Sequence, residues 1–210
     1  GRPRSMEVEW RVMLHSVQFW LLFIMYFIGA AAGLMFISVA SDLGKQALGS
    51  LAFIAVVVLA VGNSAGRILA GVISDRIGRQ WTLLGEFILQ AIVVGVLYWL
   101  SGAGGPWPVI LIIAFLLGFN YGANLALFPA ACKDYFGIRN FGLNYGLLFA
   151  AFGAAGLVMP WLNGLIRDRT GSSDLSYIII IVLMVLAAAL AVVSRIVGGV
   201  RCESADGLSS

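Results

Sequence analysis

Gly66-Arg67-Ile68-Leu69-Ala70-Gly71-Val72-Ile73-Ser74-Asp75-Arg76-Ile77-Gly78-Arg79 holds, within fourteen residues, an apolar run, a lone arginine inside it and a charged turn. Apolar residues extend upstream as far as position 47, and a new apolar run begins just past the turn at Trp81. A helix needs about 20 mostly apolar residues to cross roughly 30 Å of hydrocarbon. The stretch therefore marks where one membrane helix leaves the bilayer and the next enters it. Gly71 allows a second helix to approach, Asp75 can accept hydrogen bonds from exposed helix-end donors, and Gly78 supplies the tight turn. Arg76 and Arg79 are placed to hold carboxylates on adjacent helices.

The same pattern recurs along the chain. Six runs are long enough to span, at about 17–40, 47–72, 81–100, 107–131, 141–165 and 177–197. The segments 41–46, 74–80, 101–106, 133–140 and 166–176 carry turn chemistry and read as short connections between antiparallel neighbours. With 61% hydrophobic and 11% charged residues and a mean hydropathy of +0.99, the 210-residue chain has too little polar surface to cover a soluble core. The first run is too long for a signal-peptide core and is followed by five more.

The expected fold class is thus an all-α membrane protein, a six-helix bundle. An isoelectric point near 9.1 and a net charge of +3 do not point to nucleic acid, because the basic residues are scattered between apolar runs. They set topology instead. One side carries Arg2, Arg4, Arg11, Arg76, Arg79, Lys133, Arg139, Arg195 and Arg201, and the other Lys45, Arg167 and Arg169. The Lys/Arg excess puts both termini in the cytoplasm of a multi-pass plasma (inner) membrane protein. Cys132 and Cys202 show no paired spacing. With no Ser/His/Asp set, metal-ligand cluster or phosphate loop, no catalytic residue, metal or cofactor is expected.

Glycine pairs four apart, at Gly29/Gly33, Gly62/Gly66, Gly118/Gly122 and Gly142/Gly146, predict close packing of the first, second, fourth and fifth spans. The third and sixth, leaner in glycine and polar residues, are expected to face lipid.

The segment from Gly71 through Asp75, Arg76 and Gly78 to Arg79 resembles the signature loop of the major facilitator superfamily. Asn63-Ser64-Ala65-Gly66-Arg67, the run from Phe119 to Pro129 and the run from Tyr135 to Gly146 look like its oxalate:formate antiporter and monocarboxylate transporter branch. The resemblance implies a C-terminal six-helix half of a twelve-helix transporter. Residues 1–16 would be a piece of the central loop, 17–197 the transmembrane domain and 198–210 a polar cytoplasmic tail expected to be disordered. The chain does not begin with Met, which fits a missing first half; that half and the lipid bilayer are the implied partners. In the family the loop motif helps latch the two halves in the outward-facing state.

An ionisable residue within hydrocarbon is a functional hypothesis by default. Arg67 lies eight residues before Asp75, about 12 Å along a helix, too deep to reach water comfortably. Its planar fork of donors matches a carboxylate and stays charged. Asn63, one turn earlier on the same face, adds an amide. Tyr26, Asn120, Tyr121 and Asn124 lie at depths suited to completing a substrate cavity, with Asn144 and Tyr145 nearer the cytoplasmic end. Such amides serve equally as glue between helices. Glu86 is shallow enough to pair with Arg76 or Arg79, and His15 precedes the first span and reads as interfacial.

By resemblance, dicarboxylate carriers of that branch pair the second-helix Arg with a Lys inside the fifth. Here 141–165 contains neither Lys nor Arg, and 150–152 is apolar. One buried cation balances one carboxylate, so a monoanion such as lactate, pyruvate or formate fits better than oxalate. The expected function is alternating-access transport of that anion with proton symport. Antiport of the oxalate/formate type and a non-transporting six-helix subunit are the alternatives.

Overall fold

The computed structural model describes residues 7–48, 51–103, 106–171 and 174–206, with side chains described throughout these except at 36–48, 101–103 and 198–206. The helices are α1 Trp10–Leu14, α2 Val17–Leu48, α3 Phe53–Ile77, α4 Arg79–Ala103, α5 Trp107–Phe136, α6 Phe141–Thr170 and α7 Asp174–Asp206. Six of them, α2 to α7, are long and apolar enough to cross a bilayer. No strand occurs among the described residues. Hydrocarbon offers no hydrogen bonds to the backbone, so each span must satisfy its own amides as a helix.

Several connections are shorter than turn chemistry suggests. Residues 41–46 are helical, and α2 runs on to Leu48. The single Gly44 there costs only about 1 kcal/mol in a helix, less than an established helix gains by continuing. α7 likewise continues past Val197 to Asp206, where a disordered tail is expected, and residues 207–210 of that tail lie outside the described residues. The α3–α4 connection is Gly78 alone. Its φ of +95° is open to glycine at little cost, and its N–H bonds the Ser74 carbonyl at 3.0 Å. Gly137, with φ of +84°, ends α5 in the same way. Both glycines lie at the basic end of the bundle, with Arg76, Arg79, Lys133 and Arg139.

α5 packs between α2 and α3, α6 lies against α2, and α7 sits against both α2 and α4. The α3–α5 contact is backbone on backbone. A Cβ on Gly66 would lie 2.0 Å from the Phe119 carbonyl oxygen, and one on Gly122 2.0 Å from that of Asn63. Gly62 and Gly118 are equally closed, against Phe115 and Leu59. On α2, Gly29 abuts the Asn124 amide and Gly33 the Tyr121 ring.

Gly142 and Gly146 depart from the predicted pattern. Nothing lies within 4 Å of a Cβ at either position, and α6 instead turns Leu148, Ala151, Ala155 and Met159 into the core. A glycine pair marks a contact only when its face is turned toward a neighbour. α4 and α7 do expose Ile88, Ile92, Val182 and Val185, but they also bury Leu83, Phe87, Ile180, Met184 and Ala187. The least covered spans are α3 and α6. Lipid is as apolar as a neighbouring helix, so hydrophobicity alone does not separate the two environments.

Glu86 is buried, its Oε2 has no hydrogen-bond partner, and the expected pair with Arg76 or Arg79 does not form among the described residues. Arg79 is turned toward α5 instead. His15 is exposed beside the Arg11 carbonyl at 2.8 Å, in keeping with an interfacial place. The lead-in is docked: Val8 N–H bonds the Phe136 carbonyl at 3.0 Å, and buried Asn144 donates to the Val8 carbonyl at 3.0 Å. Arg139 N–H donates to Glu7 at 2.7 Å.

Gly66→Ala or Gly122→Ala should lower the stability of the detergent-solubilised full-length protein by about 1–3 kcal/mol, because backbone cannot yield as a side chain can. Gly95→Ala, with nothing within 4 Å, should be neutral or slightly stabilising. Thermal unfolding midpoints read the difference.

Candidate functional site

Ten residues before the end of α3, Arg67 is about 15 Å from that helix end, well inside a span. It is exposed, at the edge of the stripe of Gly62, Gly66, Ala70 and Ser74 that packs inward. Its Nε donates to Asn63 Oδ1 at 3.1 Å, the contact expected of residues one turn apart. The N–H groups of its two terminal nitrogens have no carboxylate partner among the described residues.

The close α3–α5 packing decides what surrounds this arginine. A Cβ on Gly122 would come 2.8 Å from Asn63 Oδ1, so the Asn63 amide lies directly on α5. Tyr121 precedes Gly122 and leans over Gly33 of α2. Tyr26 is fully buried. It stacks on Phe128 at 4.3 Å between centroids, and its hydroxyl is 3.3 Å from that of Tyr145 on α6.

Of the six expected substrate residues, Arg67 and Asn63 are bonded to each other, and Tyr26 and Tyr121 are brought together through the ring of Phe152. Asn120 and Asn124 are not. Both are buried, and their amides donate back along α5 to the carbonyls of Leu116 at 3.0 Å and Asn120 at 2.9 Å. Asn124 also abuts Gly29, which is the glue role.

Two residues escaped the sequence reading. Phe149 and Phe152 of α6 stack on each other at 5.0 Å and 7°, and lie 6.1 and 6.0 Å from the Tyr26 ring. Phe152 is also 6.1 Å from Tyr121. The signal was available: Phe141, Tyr145, Phe149 and Phe152 fall at intervals of four, four and three, one face of a helix. The structure thus holds an Arg67–Asn63 pair on α3 and an aromatic cluster of Tyr26, Tyr121, Phe149 and Phe152 on α2, α5 and α6.

At the basic end the loop motif closes on itself. Arg79 holds Asp75 at 2.7 Å and Asp134 of α5 at 2.9 Å, and also donates to Ser74 Oγ. Asp75 thus meets Arg79 and not a neighbouring helix end. Gln80 donates to the Tyr135 hydroxyl, which is 3.3 Å from Ser194 Oγ on α7, so α4, α5 and α7 are tied together. These groups line a surface pocket of 380 Å³. Arg76 is exposed and makes no ion pair among the described residues, and Gly71 has nothing within 4 Å.

Asp75 and Asp134 keep 67% and 50% of their side chains in contact with solvent, so water screens both pairs. A double-mutant cycle of Arg79→Gln and Asp134→Asn in full-length protein should return a coupling of about 0.5–1 kcal/mol from unfolding midpoints.

A sequence model described as Major Facilitator Superfamily matches residues 19–200. The chain is similar to the uncharacterised MFS-type transporter YhjX of Escherichia coli K12, with 30% identity over 145 residues, 67% of this chain and 35% of that protein. It is similar to the oxalate:formate antiporter of Oxalobacter formigenes, with 29% identity over 183 residues, 85% of this chain and 43% of the antiporter. The MFS transporter asaE of Aspergillus flavus is 33% identical over 138 residues, 63% of this chain and 30% of its own length. The chain spans less than half the length of each of these relatives, which are named as transporters and not as enzymes. Because the matched region runs from the first turn of α2 into α7 and so takes in all six spans, the chain belongs to the Major Facilitator Superfamily.

Proposed function

We propose that this chain is the C-terminal half of a secondary transporter that carries small monocarboxylate anions of the lactate, pyruvate or formate type. The preceding six-helix half and the bilayer complete it. Both termini are cytoplasmic, in the plasma (inner) membrane, and the Arg79-centred cluster latches the cytoplasmic ends in one state of the cycle. Residues 1–16 belong to the central loop between the halves.

The observation that carries this reading is the Arg67 guanidinium, deep within α3 and bonded to Asn63, with its terminal N–H groups free of carboxylates among the described residues. A mid-membrane cation is tolerable where an anion or water-filled cavity neutralises it. A carboxylate on Arg67 accepts two parallel hydrogen bonds, with Asn63 and the Tyr121 hydroxyl at its edges. One cation balances one negative charge, which favours a monoanion over oxalate. Rocking of the halves around this site exposes it to each side in turn.

Proton symport is the first coupling reading. Antiport is the second, favoured by the similarity to a protein named as an oxalate:formate antiporter. Vesicles empty of substrate separate them: symport fills them under an inward acid gradient, whereas antiport fills only vesicles preloaded with a carboxylate.

Arg67→Gln in reconstituted full-length protein should weaken apparent affinity for labelled lactate or formate by about 100-fold or more, the loss of two charge-assisted hydrogen bonds. Arg67→Lys should rescue it poorly, because an ammonium lacks the fork. Unchanged uptake in Arg67→Gln would remove the proposed receptor. Absence of uptake of any carboxylate by the wild type would leave the non-transporting subunit.

A further inference from the structure

Among the described residues Glu86 is the single buried carboxyl group, at 7% exposure, and its Oε2 has no hydrogen-bond partner. It lies seven residues into α4, about 10 Å from the basic end and so inside the span. Thr82 and Gln90 stand one turn before and one turn after it on the same face, and both are buried. Gln90 Oε1 is equally without a partner. Two acceptor oxygens one turn apart, with no donor at either, lack a hydrogen between them. A proton on Glu86 Oε2 supplies it, because the acid O–H can donate to Gln90 whereas the carboxylate only accepts. Turning the Gln90 amide round would give a carboxylate one donor and still leave its charge without a cation.

The helices packed on α4 are α7, α5 and α3, and none brings a cation to Glu86. On α7, residues 178–193 are all apolar, Asp174 and Tyr177 stand at the far end, and Arg195 is exposed over the Trp81 ring at 4.4 Å. α5 has no charged residue before Lys133, which is exposed, and Asp134 is held by Arg79; its Tyr121, Cys132 and Tyr135 carry no positive charge. On α3, Arg67 is bonded to Asn63, and Asp75 and Arg76 are exposed. The neutral acid is therefore the form this place accommodates. Toward the basic end a polar route meets water: Gln80 and Tyr135 line the surface pocket, and the Tyr135 hydroxyl is 3.3 Å from buried Ser194 Oγ.

We propose that Glu86 is the proton-binding site of the transporter. Its carboxylate takes a proton from water on one side of the membrane, forming the Oε2–H bond, and returns it to water on the other side as the anion leaves Arg67. This rests on the reading of the chain as a monocarboxylate symporter with Arg67 as receptor. One proton on Glu86 and one anion on Arg67 cross together, so the loaded carrier moves no net charge.

The test uses full-length protein reconstituted in vesicles. At one proton per monoanion, an inward acid gradient of about one pH unit should accumulate labelled lactate about tenfold relative to protein-free vesicles. Glu86→Gln imitates the neutral acid but can release no proton. Its accumulation should fall to about onefold, lost relative to the exchange of labelled for unlabelled lactate, which needs no net proton movement. Glu86→Asp keeps the carboxyl on a shorter stem and should recover accumulation in part. In the same membranes at neutral pH the infrared spectrum should contain a protonated-carboxyl C=O band that Glu86→Asp shifts and Glu86→Gln removes.

Full accumulation surviving in Glu86→Gln overturns the proposal and leaves Glu86 as a neutral contact between helices. So does the absence of the infrared band, or an equal loss of exchange and accumulation in both variants. A wild type that exchanges lactate without accumulating it is an antiporter, which overturns the proposal as well. A wild type that neither exchanges nor accumulates any carboxylate removes instead the Arg67 reading, and the band then decides alone whether Glu86 holds a proton.

Discussion

At Gly66 and Gly122 the backbones of α3 and α5 touch, leaving no room for even a methyl group. In lipid, where helices gain little from hiding apolar surface, such close contact is a main source of association. It also sets a register. Asn63 is pressed onto Gly122, so Tyr121 falls next to the Asn63–Arg67 face, and Gly33 accepts the Tyr121 ring from α2. The proposed binding face is a consequence of four glycines on α3 and α5 that carry no chemistry themselves.

That register lets one charge survive in the middle of a span. Arg67 is exposed and is not neutralised by a carboxylate among the described residues. Its Nε bonds Asn63, which is pressed onto α5 at Gly122, the residue after Tyr121. The contrast with the basic end is instructive. There Arg79 is shared between Asp75 and Asp134 and its surroundings are wet, which suits a contact that forms and breaks in the proposed transport cycle. A saturated arginine holds helices together, and an unsaturated one waits for an anion.

The six spans and the packed pairs at Gly29/Gly33, Gly62/Gly66 and Gly118/Gly122 were legible in the sequence, because span length and glycine spacing reflect bilayer thickness and backbone approach directly. The contact of Arg67 with Asn63 was legible too, as two polar groups one turn apart. Gly142 and Gly146 misled because spacing does not tell which way a face points. The same ambiguity hid the inward turn of Asn120 and Asn124, whose amide N–H groups donate to carbonyls of their own helix while their buried Oδ1 atoms have no partner among the described residues. Glu86 was misread because its burial depends on how α4 packs, which hydrophobicity does not encode. Phe149 and Phe152 looked like ordinary membrane residues until tertiary packing set them beside Tyr26.

The most direct test of the central claim is an experimental structure of the full-length protein with a bound monocarboxylate. The account predicts both carboxylate oxygens on the Arg67 guanidinium, with the Asn63 amide at their edge. Arg67 found in a salt bridge to an Asp or Glu of the preceding half, with the anion bound elsewhere, would contradict it.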